Sequence, residues 1–246
     1  MALARYSAST QNGITLENQG RLEAGTLLGV LANTVPAIFY MLIHVYSDPV
    51  LLQDIRAELE STCVSTTSAP GEPPNRHIHI VRMREKCHLL HSTFQEVFRL
   101  HALGASARFV REDIMLNDQH LLKKGMVIQM PTAVMHFDTA IWGADVQEFQ
   151  PRRFLSKQNL KAYRPFGGGA SLCPGRHFVT LETLGLTACM VLRYDITSAD
   201  GGRLRVPAQK QESLATNVFP PEKDIRVRVT ERQDCKNVTW SAVMSR

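Results

Sequence analysis

No Cys-x-x-Cys pair occurs in the 246 residues, so a zinc site has no support in the spacing. The five cysteines, Cys63, Cys87, Cys173, Cys189 and Cys235, are odd in number and irregularly placed, which argues against a disulfide framework as well. Reduced thiols in a cytosol-facing protein fit best. Lysine and arginine total 28 against 23 acidic residues, yet no basic run interleaves with aromatics, and nucleic-acid binding is not expected. The small positive surplus suits an acidic protein partner or an acidic cofactor. Residues 1–13 hold no apolar stretch long enough for a signal peptide. Internal repeats and low-complexity tracts are absent. What remains is an ordinary globular composition, 44% hydrophobic and 21% charged, long enough for one large domain or two small ones.

One stretch, residues 25–46, is nearly continuous apolar sequence of about the length that spans a bilayer. Asn33, Thr34 and Pro36 interrupt its middle and His44 lies near its end. Polar groups at mid-membrane are costly, and no basic cluster closes the run. It reads as a helix buried on all sides by protein, with a polar notch.

Along the chain, residues 18–46 read as one long helix. Asp48 before Pro49 then forms an N-terminal signature for a second helix over 49–60. Residues 62–74 read as a surface loop from their Ser, Thr, Pro and Gly content. Residues 84–101 read as one helix with Leu89, Leu90, Phe94, Val97 and Phe98 on its apolar face. Residues 107–130 alternate and turn at Lys123-Lys124-Gly125-Met126, as a small sheet with a hairpin would. Residues 140–162 are irregular, 174–193 read as a helix, and 194–232 as strands with turns. The fold class is mainly α with small β-sheets.

Residues 164–176, RPFGGGASLCPGR, carry the sharpest signal. Glycine permits positive φ and close backbone approach, and proline fixes φ, so the loop can present a thiolate with backbone N–H groups aimed at its sulfur. A thiolate at the start of the 174–193 helix is also favoured by the helix dipole. The pattern resembles the haem-ligand loop of the cytochrome P-450 superfamily, F-x-x-G-x-[R/H]-x-C-x-G. Phe166, Gly169, Cys173 and Gly175 match it, and Ser171 departs where arginine or histidine is usual. The resemblance implies Cys173 as axial ligand of haem b (iron protoporphyrin IX), with Phe166 and Gly169 against the proximal face. A proximal thiolate pushes electron density onto haem iron and favours O–O cleavage.

Two further segments match the same family. Glu96-Val97-Phe98-Arg99 places opposite charges three residues apart on a helix, and Phe149-Gln150-Pro151-Arg152-Arg153-Phe154 resembles F-x-P-x-R-F. Together they imply a buried structural network of Glu96, Arg99 and Arg153. The notch at 32–36 resembles the acid-Thr site of the distal helix, with Thr34 at the threonine and Asn33 at the acid. An Asn-Thr-x-Pro notch is similar to the sterol 7α/12α-hydroxylase and prostacyclin-synthase branch, which contains hydroxylases and an isomerase. Thr34 and Asn33 are thereby expected at the oxygen site. Arg108 occupies the position of a propionate-binding arginine, and with Ser171 uncharged it would carry more of that interaction.

The resemblance covers residues 18–232 and corresponds to the C-terminal half of the family fold. Residues 1–17 are expected as a polar segment and 233–246 as a tail, and no membrane anchor or substrate lid is read. It implies a monooxygenase, or a truncated form of one, oxidising a hydrophobic small molecule with O2 and electrons from an NADPH-cytochrome reductase, with fungal secondary metabolism as the expected setting. A haem-thiolate isomerase or dehydratase, or a non-catalytic haem-binding remnant, stays open. Members of the family are usually anchored to the endoplasmic reticulum.

Overall fold

A computed structural model describes residues 2–156, 161–210 and 216–244. Helix α1 (Ala2–Gln11) forms in the segment expected only to be polar. Its alanines, leucine and arginine favour helix. The Arg5 guanidinium grips Glu23 through two bonds of 2.8 and 2.6 Å and holds α1 against α2 (Leu16–Ser47). The α2 helix matches the long helix read over 18–46 and runs on through Pro36. Asp48 ends it and caps α3 (Pro49–Thr62), accepting from the Val50 and Leu51 N–H groups at 3.0 and 3.1 Å.

Two expectations need correction next. Residues 62–74 are not all loop, because Val64–Thr67 forms strand β1, paired antiparallel with β2 (Asn75–His79). Its β-branched Val64, Thr66 and Thr67 suit a pleated edge, and loop-like composition concealed that. The helix expected over 84–101 is two, α4 (Ile80–Lys86) and α5 (His88–His101). Cys87, at φ −86° and ψ 80°, leaves the helical region between them. Its buried sulfur lies 3.0 Å from that of Cys63 at the end of α3.

The hairpin region is nested. β3 (Ala105–Phe109) pairs antiparallel with β6 (Val127–Pro131), and between them β4 (Ile114–Leu116) pairs with β5 (His120–Leu122). Gly125 turns at φ +87° in the expected place, while Asn117 and Asp118, both at φ 54°, turn the tip. Short helices α6 (Thr132–His136) and α7 (Thr139–Trp142) follow, then the glycine-rich loop and α8 (Arg176–Arg193). β7 (Tyr194–Ser198) and β8 (Val227–Glu231) form an antiparallel pair. Residues 157–160 of the irregular stretch and 211–215 of the strand-like one lie outside the described residues. The last segment is more than a tail, since β9 (Thr239–Val243) joins β2 in parallel, with the Arg76 guanidinium 4.6 Å from the Trp240 ring.

The core lies where the second half of α2 meets α3, α5 and α8. From Thr34 onward α2 is largely buried, with Ala37, Tyr40 and Met41 fully enclosed. Its first half is not, because Leu22, Leu27, Leu28 and Leu31 stand exposed. The reading of a helix buried on all sides thus holds for its second half alone. By length and composition α2 would suffice to cross a membrane.

A buried imidazole pair joins α2 to α5. His44 Nε2 lies 2.9 Å from His101 Nε2, and His101 Nδ1 lies 3.0 Å from the Gln209 carbonyl oxygen. The Gln209 amide N–H groups donate to the His101 and Phe219 carbonyls, so its oxygen is the acceptor for His101 Nδ1–H. His101 then receives the His44 Nε2–H, so both of its ring nitrogens are engaged. Burial, and secondly the neighbouring ring, push His44 down to about 3. Burial pushes His101 down to about 4, partly opposed by Gln209. Both rings are neutral when folded and free to protonate when unfolded, near pH 6.5. Their contribution to stability is full above that pH and is lost as pH falls towards 4. The urea midpoint is expected to drop more steeply between pH 7 and 4.5 in the natural chain than in His44→Leu/His101→Phe. Equal slopes would show that the pair is not a source of acid lability.

Candidate functional site

The loop before α8 is folded by its own backbone. The Gly167 N–H donates to the Arg164 carbonyl at 3.1 Å, and the Cys173 N–H to the Phe166 carbonyl at 3.0 Å. Gly167 and Gly169 hold φ of +77° and +65°, where a side chain would strain the backbone. Phe166 packs on Phe98 of α5 with ring centroids 5.1 Å apart. Cys173 sits two residues before Gly175, which caps α8. Its sulfur takes no hydrogen bond among the described residues, so the expected backbone N–H groups directed at it are not observed.

That cysteine stands in the wall of a cavity of about 480 Å³. Thr26, Gly29, Val30 and Asn33, one face of α2 at helical spacing, also line it. Phe98, Phe166, Phe178, Val179 and Val218 make the remaining surface largely apolar. No carboxylate or imidazole lines this cavity among the described residues. No cluster of three or more His, Cys, Asp or Glu suited to a metal ion occurs among them either.

Of the two notch residues, the structure brings Asn33 to the cavity and not Thr34. The Asn33 side-chain oxygen accepts from the Asn217 and Val218 N–H groups at 2.7 and 3.1 Å, tying the 217–218 segment over the cavity. Thr34 is buried but is not among the lining residues, and its hydroxyl has no partner among the described residues. A carboxamide thus does a structural task at the position where sequence reasoning looked only for oxygen chemistry.

Glu96, Arg99 and Arg153 meet in one place. Glu96 accepts two bonds of 2.7 Å from the Arg99 guanidinium, with both side chains fully enclosed, and one of 3.1 Å from Arg153. Arg99 spends its other N–H groups on the carbonyls of His136, Val146 and Glu148. Arg153 adds the Trp142 carbonyl and the Asp145 carboxylate. Burial works against the Arg153 charge, but Asp145 and Glu96 outweigh it and leave its pKa raised. The Arg153 guanidinium in turn lowers Asp145.

His136, fully buried at the end of α6, links this cluster to the cysteine loop. Its Nδ1 bonds the Arg99 carbonyl at 2.9 Å, and its Nε2 accepts the Arg164 N–H at 2.9 Å. Burial pushes its pKa down to about 4, consistent with the neutral tautomer those two bonds require. Tyr163, stacked beside it with centroids 5.7 Å apart, is raised well above the usual phenol value, first by burial and then by the Glu96 charge. A histidine 37 residues from its α5 partner carries no local pattern to mark it.

Arg108 lies on β3 and reaches the loop, donating to the Gly168 carbonyl at 3.3 Å and to its neighbour Ala107 at 2.8 Å. It does not itself line the cavity, although Ser106, on the same face of the strand, does. The side chain of Ser171 lies outside what the structure describes.

Comparison with known proteins adds a consistent picture. The family model described as Cytochrome P-450 matches residues 13–224. A cytochrome P-450 monooxygenase of Hypoxylon pulicicidum, nodJ, is 34% identical over 98% of this chain and 49% of its own length. A cytochrome P-450 monooxygenase of Gibberella zeae is 31% identical over 94% of the chain and 47% of its own length. A 25-hydroxycholesterol 7-alpha-hydroxylase of Rattus norvegicus is 28% identical over 85% and 53%. The chain spans about half the length of the curated relatives it matches.

Proposed function

The chain belongs to the cytochrome P-450 family, and from that membership we propose that the cavity behind Cys173 is a haem b site serving oxidation of a hydrophobic small molecule. The observation that carries this is the Cys173 sulfur, without a hydrogen bond among the described residues and set in the wall of a mostly apolar cavity. A single thiol with no His, Cys or carboxylate beside it among the described residues does not make a cage for a bare ion. It suits a metal whose other ligands arrive with it, as in a macrocycle. The aromatic and aliphatic lining suits the faces of such a ring, and the arginines by Gly168 suit its acidic groups.

In this reading Cys173 would hold the haem iron through its sulfur, and Phe166 and Gly169 fix the loop that presents it. Bound there, haem would supply oxygen activation driven by its thiolate. The charge cluster of Glu96, Arg99 and Arg153 keeps the loop in register through His136, which is a positioning task. Asn33 holds the 217–218 segment and so the cavity's shape, while Val30 and Val218 keep water out. Electrons would come from NADPH through a reductase docking near the loop, and O2 would be the oxidant. The resemblance read from the sequence suggests fungal secondary metabolism, and the family's habit suggests attachment to the endoplasmic reticulum.

A second reading keeps the haem and drops the reductant: an isomerase or dehydratase. It is favoured by the lack of any carboxylic acid on the cavity among the described residues, since a lone carboxamide cannot relay a proton as an acid does. Assay of the protein with a reductase in ¹⁸O-labelled O2 separates the two. Labelled product formed only with NADPH supports the monooxygenase. Unlabelled product formed without NADPH overturns it in favour of the isomerase.

A further inference from the structure

The loop carries Ser171 where its relatives by motif carry a cation, yet the structure places an unclaimed cation a few residues away. Arg164 lines the cavity and is half-buried. Its backbone N–H is bound to His136, and its Nε donates to the Lys161 carbonyl at 2.8 Å. Neither Arg164 nor Arg108 has a carboxylate partner among the described residues.

The seat of the Arg164 guanidinium is made by Gly168. A Cβ added to Gly168 would fall 2.3 Å from Arg164 Nη1. Gly168 has φ −171° and ψ 171°, extended backbone that any residue adopts, so the glycine is needed for room and not for conformation. On the same residue, the Gly168 carbonyl receives Arg108. Two guanidinium groups therefore converge on one residue beside an apolar cavity, with no carboxylate between them among the described residues. Like charges so placed repel, and a bound anion relieves that cost.

Resting on the haem reading above, we propose that Arg164, seated over Gly168, binds a haem propionate in place of the cation missing at position 171, with Arg108 as the second cation of the pair. His136 makes the position firm, because it fixes the Arg164 backbone to the buried charge cluster. The propionate class of ligand follows from the chemistry: planar guanidinium forks match carboxylates, and among the described residues the cavity offers them no carboxylate of its own.

The test compares haemin with haemin dimethyl ester, whose propionates are uncharged, by titration of the natural chain, Arg164→Met and Gly168→Ala. The natural chain is expected to prefer haemin over the diester. Arg164→Met should weaken haemin by about tenfold to a hundredfold, the worth of one charge-assisted hydrogen bond, and leave the diester nearly unchanged. Gly168→Ala should act in the same direction by displacing the guanidinium, and it serves where Arg164→Met does not fold. Arg164→Lys should recover part of the preference. A preference for haemin unchanged in both variants, or absent from the natural chain, overturns the role of Arg164 while leaving the haem site intact. Failure of the natural chain to bind either porphyrin with thiolate absorption sinks the haem reading itself.

Discussion

Glu96→Ala is expected to abolish soluble, haem-bound protein. The carboxylate is fully enclosed and answers two guanidinium groups, Arg99 with no side-chain exposure and Arg153 with 6%. Removing it leaves both charges buried, with only carbonyls and Asp145 to face them. Breaking a buried pair by deleting one partner costs about 3–5 kcal/mol, a large part of a domain's stability. The effect should travel further than the cluster. Glu96 also accepts the Gln150 N–H at 3.0 Å, and Arg99 carries the carbonyls that fix residues 136–148. Losing it loosens the segment that holds His136, and with it the start of the cysteine loop. Glu17→Ala supplies the contrast, since Glu17 pairs with Arg21 while both side chains are more than 70% exposed. Such a pair is worth about 0–1 kcal/mol. Soluble yield reads the difference first, and wherever Glu96→Ala is recovered, a urea midpoint equal to that of Glu17→Ala would mean that the cluster carries no special stability.

The sequence announces features whose causes are local. The Asp48-Pro49 start of α3, the Gly125 turn and the Glu96–Arg99 spacing each depend on a few adjacent residues, and each forms as read. The cysteine loop is legible for the same reason, because its glycines and prolines dictate their own backbone. Features decided by distant partners are not legible. Val64–Thr67 becomes a strand only because Asn75–His79 lies beside it, and β9 becomes one because β2 has a free edge. The helix breaks at Cys87, where its thiol meets Cys63, a contact no periodicity encodes. The apolar run of 25–46 passes without a break from the exposed part of α2 into the buried part, so hydropathy alone could not mark where burial begins. Arg164 and Gly168 sit in plain view of each other in the sequence, but only the folded loop shows that one needs the other to lack a side chain.

Cys173→Ser carries the largest functional consequence. The reduced, carbon-monoxide-treated haem protein should show the red-shifted Soret band of thiolate ligation, and the serine variant should lose it. A serine hydroxyl matches the thiol in size but does not ionise in the same range, so it cannot offer the charged sulfur that gives the band. No other cysteine is placed to take over. Cys63 and Cys87 are fully buried and face each other at 3.0 Å. Cys235 is buried against the Leu192 carbonyl, and burial raises its pKa. Cys189 lies on α8 away from the cavity lining, and burial raises it too. Each of these four changed to serine should keep the band, provided the fold survives. The haem content of Cys173→Ser is a separate reading. The apolar walls and the arginines by Gly168 remain, so some haem can bind without its sulfur. Haem retained with the band gone is therefore the expected pattern. A band that survives in Cys173→Ser would assign the iron to another ligand and remove the basis for a haem-thiolate site in this cavity.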